Sequence, residues 1–126
     1  MKSRLFCSAL LLAGSLSAGM ARADDYVIDT KGSHAFIQFQ IPHLGYSLLL
    51  GRFNDFSGEF SYDADAPDTA SVAVTINTAS IDSNHAERDK HLRGEDFLDV
   101  DQYPQAEFVS TGYRENPDGT AVLSGN

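Results

Sequence analysis

Four histidines and eighteen carboxylates are the side chains with chemistry to offer. His85 and Asp89 stand four apart and would share one face of a helix. His85 and His91 stand six apart, about 120° from one another around a regular helix, so one ion cannot bind both. No H-E-x-x-H or related spacing is present, and a metal site needs at least three convergent protein ligands. No metal ligand is therefore assigned. Nucleophilic catalysis lacks a starting point as well. The sole cysteine is Cys7, and no serine sits in a G-x-S-x-G setting. There is no G-x-G-x-x-G and no phosphate loop. No catalytic residue is assigned, and no cofactor is required. Glu87, Arg88, Asp89, Lys90 and Arg93 read as a solvated face with weak local ion pairs.

Composition narrows the partners. The chain has 126 residues, with 9 Lys and Arg against 18 Asp and Glu and a net charge of -9. That surface cannot neutralise phosphates, so nucleic acid is not an expected partner. Lys2 and Arg4 precede an apolar, small-residue stretch from Leu5 to about Met20. Ala21-Arg22-Ala23 then offers a cleavage point before Asp24. Residues 1–23 read as a secretory signal peptide, and the expected location is the periplasm. Its removal leaves 103 residues with six basic against eighteen acidic side chains and no cysteine. Disulfides cannot staple such a domain, so it depends on core burial. The mature chain, 24–126, shows no segment for stable membrane insertion.

The elements that must position any site are mostly strands. Apolar residues alternate at Ala35, Ile37, Phe39 and Ile41, at Phe56, Phe60 and Tyr62, and at Val72, Val74 and Ile76. Phe36 breaks the first alternation. Tyr26–Asp29, Tyr46–Phe53, Gln105–Arg114 and Thr120–Ser124 are further strands. Asp63–Asp68 reads as a hairpin loop, and Asn116-Pro117-Asp118-Gly119 as a turn. Gly58 inside a strand suggests a bulge or bend. Asn84–Arg93 breaks the β pattern and reads as a short helix. Asn84 is its expected N-cap, Glu87 completes a capping box, and Gly94 ends it. Glu95–Val100 then reads as one more turn. Phe36, Phe39, Phe53, Phe56, Phe60 and Phe108 all fall in strands. They fill a core or line a cavity, and periodicity does not separate the two.

The chain resembles the YceI family, exported lipocalin-like proteins implicated in binding polyisoprenoids. The likeness begins at Tyr26-Val27-Ile28-Asp29. It runs through His34–Phe39, His43-Leu44-Gly45-Tyr46-Ser47 and Gly51–Gly58. Its most specific part is Ser80-Ile81-Asp82-Ser83-Asn84, followed by Arg88–Arg93, Asp96–Val100, Tyr103-Pro104 and Phe108-Val109-Ser110. The resemblance implies a mainly β fold, a lipocalin-like extended antiparallel β-barrel with a short helical insertion and a long apolar lumen. On the same ground Arg88 and Asp89 tie the insertion to the barrel, and Leu92 and Phe97 plug its end. A domain of this family continues past Asn126 into further strands. The chain is therefore expected to be an N-terminal fragment with an incomplete barrel. Its open edges invite pairing with other chains, a homodimer among them.

The function that follows is a non-enzymatic carrier for a long-chain amphiphile, a polyisoprenoid or an isoprenoid quinone. Ile37, Phe39, Ile41, Phe60, Val72, Val74, Ile76 and Phe108 are the expected ligand-binding residues. The alternative is an exported stress or interaction protein whose barrel is packed solid and holds no ligand. A third reading, a hydrolase or isomerase using His and Asp around the helix, has no positive feature behind it.

Overall fold

The computed structural model describes residues 23–32 and 34–126. The expected leader lies outside the described residues except for Ala23, and Ser33 lies outside them too. The fold is mainly β with one short helix. Its strands are β1 (Asp24–Val27), β2 (Ile37–His43), β3 (Ser47–Phe53), β4 (Phe56–Tyr62), β5 (Ser71–Asn77) and β6 (Ile81–Asp82). The helix α1 (Ala86–Arg93) follows, then β7 (Gln105–Glu115) and β8 (Ala121–Gly125). One sheet has the order β1-β4-β5-β7-β8 and the other β2-β3-β6. Every pairing is antiparallel. The described strands form an open arc, with β1 and β8 at the edges of the larger sheet.

The two sheets are arms of one bend. β3 passes into β4 through Asn54 and Asp55, while β5 reaches β6 through a 3-10 turn at Thr78–Ser80. Phe53 pairs with Ile81 before the bend and Phe56 with Ile76 after it, so the β5–β6 side carries two extra residues. The 3-10 turn absorbs them. Its polar groups are closed locally: the Asn54 N–H donates to the Ser80 carbonyl at 3.2 Å and the Asn77 N–H to the Asp55 carbonyl at 3.0 Å. The Thr78 hydroxyl donates to the Tyr103 carbonyl at 2.6 Å, which ties the chain leaving α1 to the same corner. Ile37, Phe53 and Phe56 line one small cavity of about 200 Å³ at the bend, where the apolar faces of the arms meet.

Register assigns the faces. In the larger sheet Tyr26, Phe60 and Val72 form one row, Gly58, Val74 and Phe108 the next, and Phe56, Ile76 and Ala106 a third. Ser57, Glu59, Ser61, Thr75 and Glu107 alternate with them and point the other way. Very little of the apolar face is sealed. Among the described residues Ile81, at 4 % exposure, is the one buried hydrophobic side chain; Thr78, Ser83 and Asp89 are the buried polar ones.

Several local expectations are corrected. β2 begins at Ile37, so the exposed Phe36 belongs to the preceding connection and its break in alternation has no cost. Asp63–Asp68 does lie in the hairpin loop between β4 and β5, and that loop also holds a 3-10 turn at Pro67–Thr69. Gly58 sits in unbroken register with Val74; the irregularity lies in β7, between Ser110 and Gly112. Gly58 is there because of close approach. A Cβ would lie 2.8 Å from both the Ala73 carbonyl oxygen and Cδ1 of Ile28. Gly58→Ala is expected to destabilise the fold by about 1–3 kcal/mol, read as a lower urea midpoint at unchanged slope. An unchanged midpoint would mean that β1 is free to move aside.

Candidate functional site: an apolar groove under an anchored helix

The inner wall of the smaller sheet is set by the pairs Phe39↔Gly51, Ile41↔Leu49 and Ile37↔Phe53. Gly51 gives Phe39 somewhere to lie. The ring rests over this glycine, where a Cβ would collide with it, and tilts against Phe53 at 5.9 Å between centroids. On the far side stand α1 and the turns that follow it. Between wall and helix runs a groove of about 480 Å³, lined by Phe39, Ile41, Leu49, Phe53, Ile81, Leu92, Phe97 and Leu98. His43 and Arg88 are its two polar members. A volume of this size suits a small molecule or part of a long chain.

The helix is a poor helix on its own. Its eight residues, Ala86–Arg93, are nearly all polar, and helices this short are marginal in water. Tertiary hydrogen bonds hold it in place. The Asp89 carboxylate, only 7 % exposed, accepts from both the backbone N–H (2.8 Å) and the hydroxyl of Ser83. From the same helix Arg88 donates through Nε to the Ser83 hydroxyl at 2.8 Å and through Nη2 to the Ser83 carbonyl at 2.6 Å. Arg93 reaches the carbonyls of Ala79 and Ile81, each at 2.7 Å. Three side chains of α1 thus grip the strand that leaves the corner. The bonds from Ser83 hold the Asp89 carboxyl below the usual carboxylate range, against the opposing effect of burial.

The N-cap is corrected. Asn84 has a left-handed φ of 62°, and His85 takes the cap, its Nδ1 accepting from the Arg88 N–H at 3.2 Å. The Asn84 N–H instead donates to Asp82, which also accepts from Asn54 and Arg52. These bonds lower the Asp82 carboxyl, the Asn84 N–H most of all. The expected solvated face holds for Glu87 and Lys90, which are exposed, and is corrected for the other three. Arg88, Asp89 and Arg93 are half-buried or buried and bond to the strand rather than to one another. Gly94 does end the helix, its N–H returning to the His91 carbonyl at 3.0 Å. Phe97 meets the His91 ring edge-on at 4.9 Å and remains exposed at the rim of the groove.

The expected ligand-binding residues fall into two sets. Ile37, Phe39 and Ile41 share the inner wall of the smaller sheet, and the latter two line the groove. Phe60, Val72, Val74, Ile76 and Phe108 share one face of the larger sheet, on the other arm of the bend. The structure puts each set on one face and does not bring both into one cavity. Sequence reasoning missed Leu49, Ile81, Leu98 and His43, and named Phe53 only as one of the strand phenylalanines that fill a core or line a cavity. Leu49 and Phe53 were within reach, since they alternate along the Tyr46–Phe53 strand, but Leu48 and Leu50 hide their parity. Among the described residues no group of three or more His, Cys, Asp or Glu could hold a metal, and no helix is long and apolar enough to cross a membrane.

A family model described as the YceI-like domain matches residues 26–126. A UPF0312 protein of Shewanella putrefaciens is 55 % identical over 126 residues, which is all of this chain and 65 % of the relative. A UPF0312 protein of Shewanella baltica is 56 % identical over the same span. The chain thus spans about 65 % of the length of these curated relatives. Among solved structures it is similar to a mutant CJ YceI protein with a monobromobimane guest. The two are 29 % identical with a TM-score of 0.59, over 75 % of this chain and 55 % of that one. BcnA of Burkholderia cenocepacia shares the fold, with a TM-score of 0.59 at 23 % identity over 70 % of this chain and 62 % of that one.

The anchoring of α1 carries a pH signature. A carboxyl depressed in the folded state stabilises above its unfolded pKa of about 3.9, and that stability is lost as pH falls through the folded value. Asp89→Asn is expected to cost about 1–3 kcal/mol at pH 7. The gap to the parent should narrow as urea midpoints are followed from pH 5 to pH 3. A gap independent of pH would show that Asp89 is not ionised in the fold.

Proposed function

We propose that this chain, which belongs to the YceI-like family, binds a long-chain amphiphile by its apolar tail, as a carrier and without catalysis. The groove beneath α1 carries the reading: eight apolar side chains face it, with His43 and Arg88 as the polar exceptions. An isoprenoid tail in water costs roughly 25 cal/mol per Å² of exposed apolar surface, which such a groove removes. A polyisoprenoid or an isoprenoid quinone has the matching chemistry. Arg88 spends Nε and one Nη nitrogen on Ser83, so its remaining donors are free to meet a polar head group. The apolar rows of the larger sheet, with Phe60, Val72, Val74, Ile76 and Phe108, continue the surface for a longer tail. The leader pattern at residues 1–23 supports a periplasmic location.

A solid-packed barrel without ligand is supported less well. It requires aromatic rings interlocked across the space beneath α1, where a groove of about 480 Å³ is open. Native mass spectrometry of the chain purified from its host is expected to show a co-purified lipid. Ile41→Asp puts a carboxylate on the groove wall at a site already 54 % exposed, so folding should survive. It is expected to cut lipid occupancy about tenfold or more, since burying an unpaired charge is costly. Val27→Asp, on an edge strand away from the groove, should leave occupancy unchanged. Equal occupancy in all three proteins, or none in the parent, would overturn the proposal.

A further inference from the structure

The hairpin joining β2 to β3 carries no formally charged side chain up to Gly51. From Gly32 to Gly51 there is no Asp, Glu, Lys or Arg, in a chain that carries 27 of them. Its tip is the three-residue loop Leu44–Tyr46, in which the Tyr46 N–H donates to the His43 carbonyl at 3.0 Å around Leu44 and Gly45. Both central residues have positive φ, 52° at Leu44 and 74° at Gly45. Such turns favour Asn-Gly, because a left-handed conformation strains a large side chain. Leucine occupies the strained position here, and the fold gains no packing from it. Leu44 is 79 % exposed and Tyr46 93 % exposed, with Leu48 exposed just behind them. The inner side of the same hairpin, through Ile41, His43 and Leu49, is the wall of the groove. The tip is therefore the groove's rim.

We propose that this tip docks into the headgroup region of a zwitterionic phospholipid bilayer. The shape and the charge both favour a lipid surface over a protein. A three-residue tip is far too small for a stable protein interface, which covers about 800 Å² on each partner. Two leucines with a tyrosine between them match the boundary of a bilayer, where an apolar body and a polar tip are both satisfied. The acidic remainder of the chain is repelled by anionic lipid, and a charge-free tip lets contact occur without it. The docking stands on the hairpin alone and does not require an occupied groove.

The chain has no tryptophan, so Tyr46→Trp places a single reporter at the tip. With phosphatidylcholine vesicles its emission is expected to shift to the blue and to be quenched by lipids brominated near the headgroup. Replacing part of the phosphatidylcholine with phosphatidylglycerol should weaken the response. Adding Leu44→Asn should weaken partitioning about tenfold or more, since one buried leucine is lost. The same change should raise the melting temperature, since asparagine suits the turn. A loss of stability from Leu44→Asn would remove the argument from strain and overturn the proposal. So would a response that ignores Leu44→Asn, an equal quenching of Val109→Trp on the larger sheet, or no response at all. A blue shift without vesicles that grows with protein concentration would assign the tip to a second copy of the chain instead.

Discussion

One buried carboxylate organises this fold. Asp89 accepts two bonds from Ser83, and Ser83 in turn receives Arg88 on its hydroxyl and carbonyl. Those contacts fix α1 against the strand leaving the corner. A helix with so little apolar surface would not stay there by hydrophobic packing. With the helix fixed, Leu92 and Leu98 stand opposite Phe39 and Ile41, and the groove between them exists. The arrangement separates two tasks that most small domains combine. Polar side chains hold the helix, and apolar ones line the groove it covers.

The bend between the sheets serves the same end. A two-residue passage on one side and a 3-10 turn on the other let both arms present an apolar face at the corner. Glycines then decide how far aromatic rings project. Phe39 lies over Gly51, and Phe108 lies over Gly125, in positions that a Cβ would block. Rings held flat against a sheet leave room above them; upright rings would fill it.

The strands were legible because period-two alternation survives wherever one face is wetter. Phe56–Tyr62 was bounded correctly, and Ser71–Asn77 to within one residue at each end. β6 was not seen, since two residues carry no period. The charged run at 87–93 misled most. Local rules read it as solvated, which holds for Glu87 and Lys90, whereas Arg88, Asp89 and Arg93 bond to a serine and carbonyls of the chain that precedes it. Nothing in spacing distinguishes an arginine facing water from one facing a carbonyl. The site was half legible for a similar reason. Alternation put residues on faces, but only the corner determines which faces share a space, and the corner is made of Asn, Asp, Thr and Ser with no periodic signature.

The register Asn77↔Gln105 joins β5 to β7 across the whole helical segment. Closing so long a loop in one step is entropically unfavourable. The contacts of α1 with Ser83, Ala79 and Ile81 are close in sequence, and Thr78 then captures Tyr103 and Pro104 from the far end. Each of these steps shortens the loop that remains. The helical segment is thus a set of short nested closures, and the one long-range pairing of the large sheet spans a segment already tied at both ends.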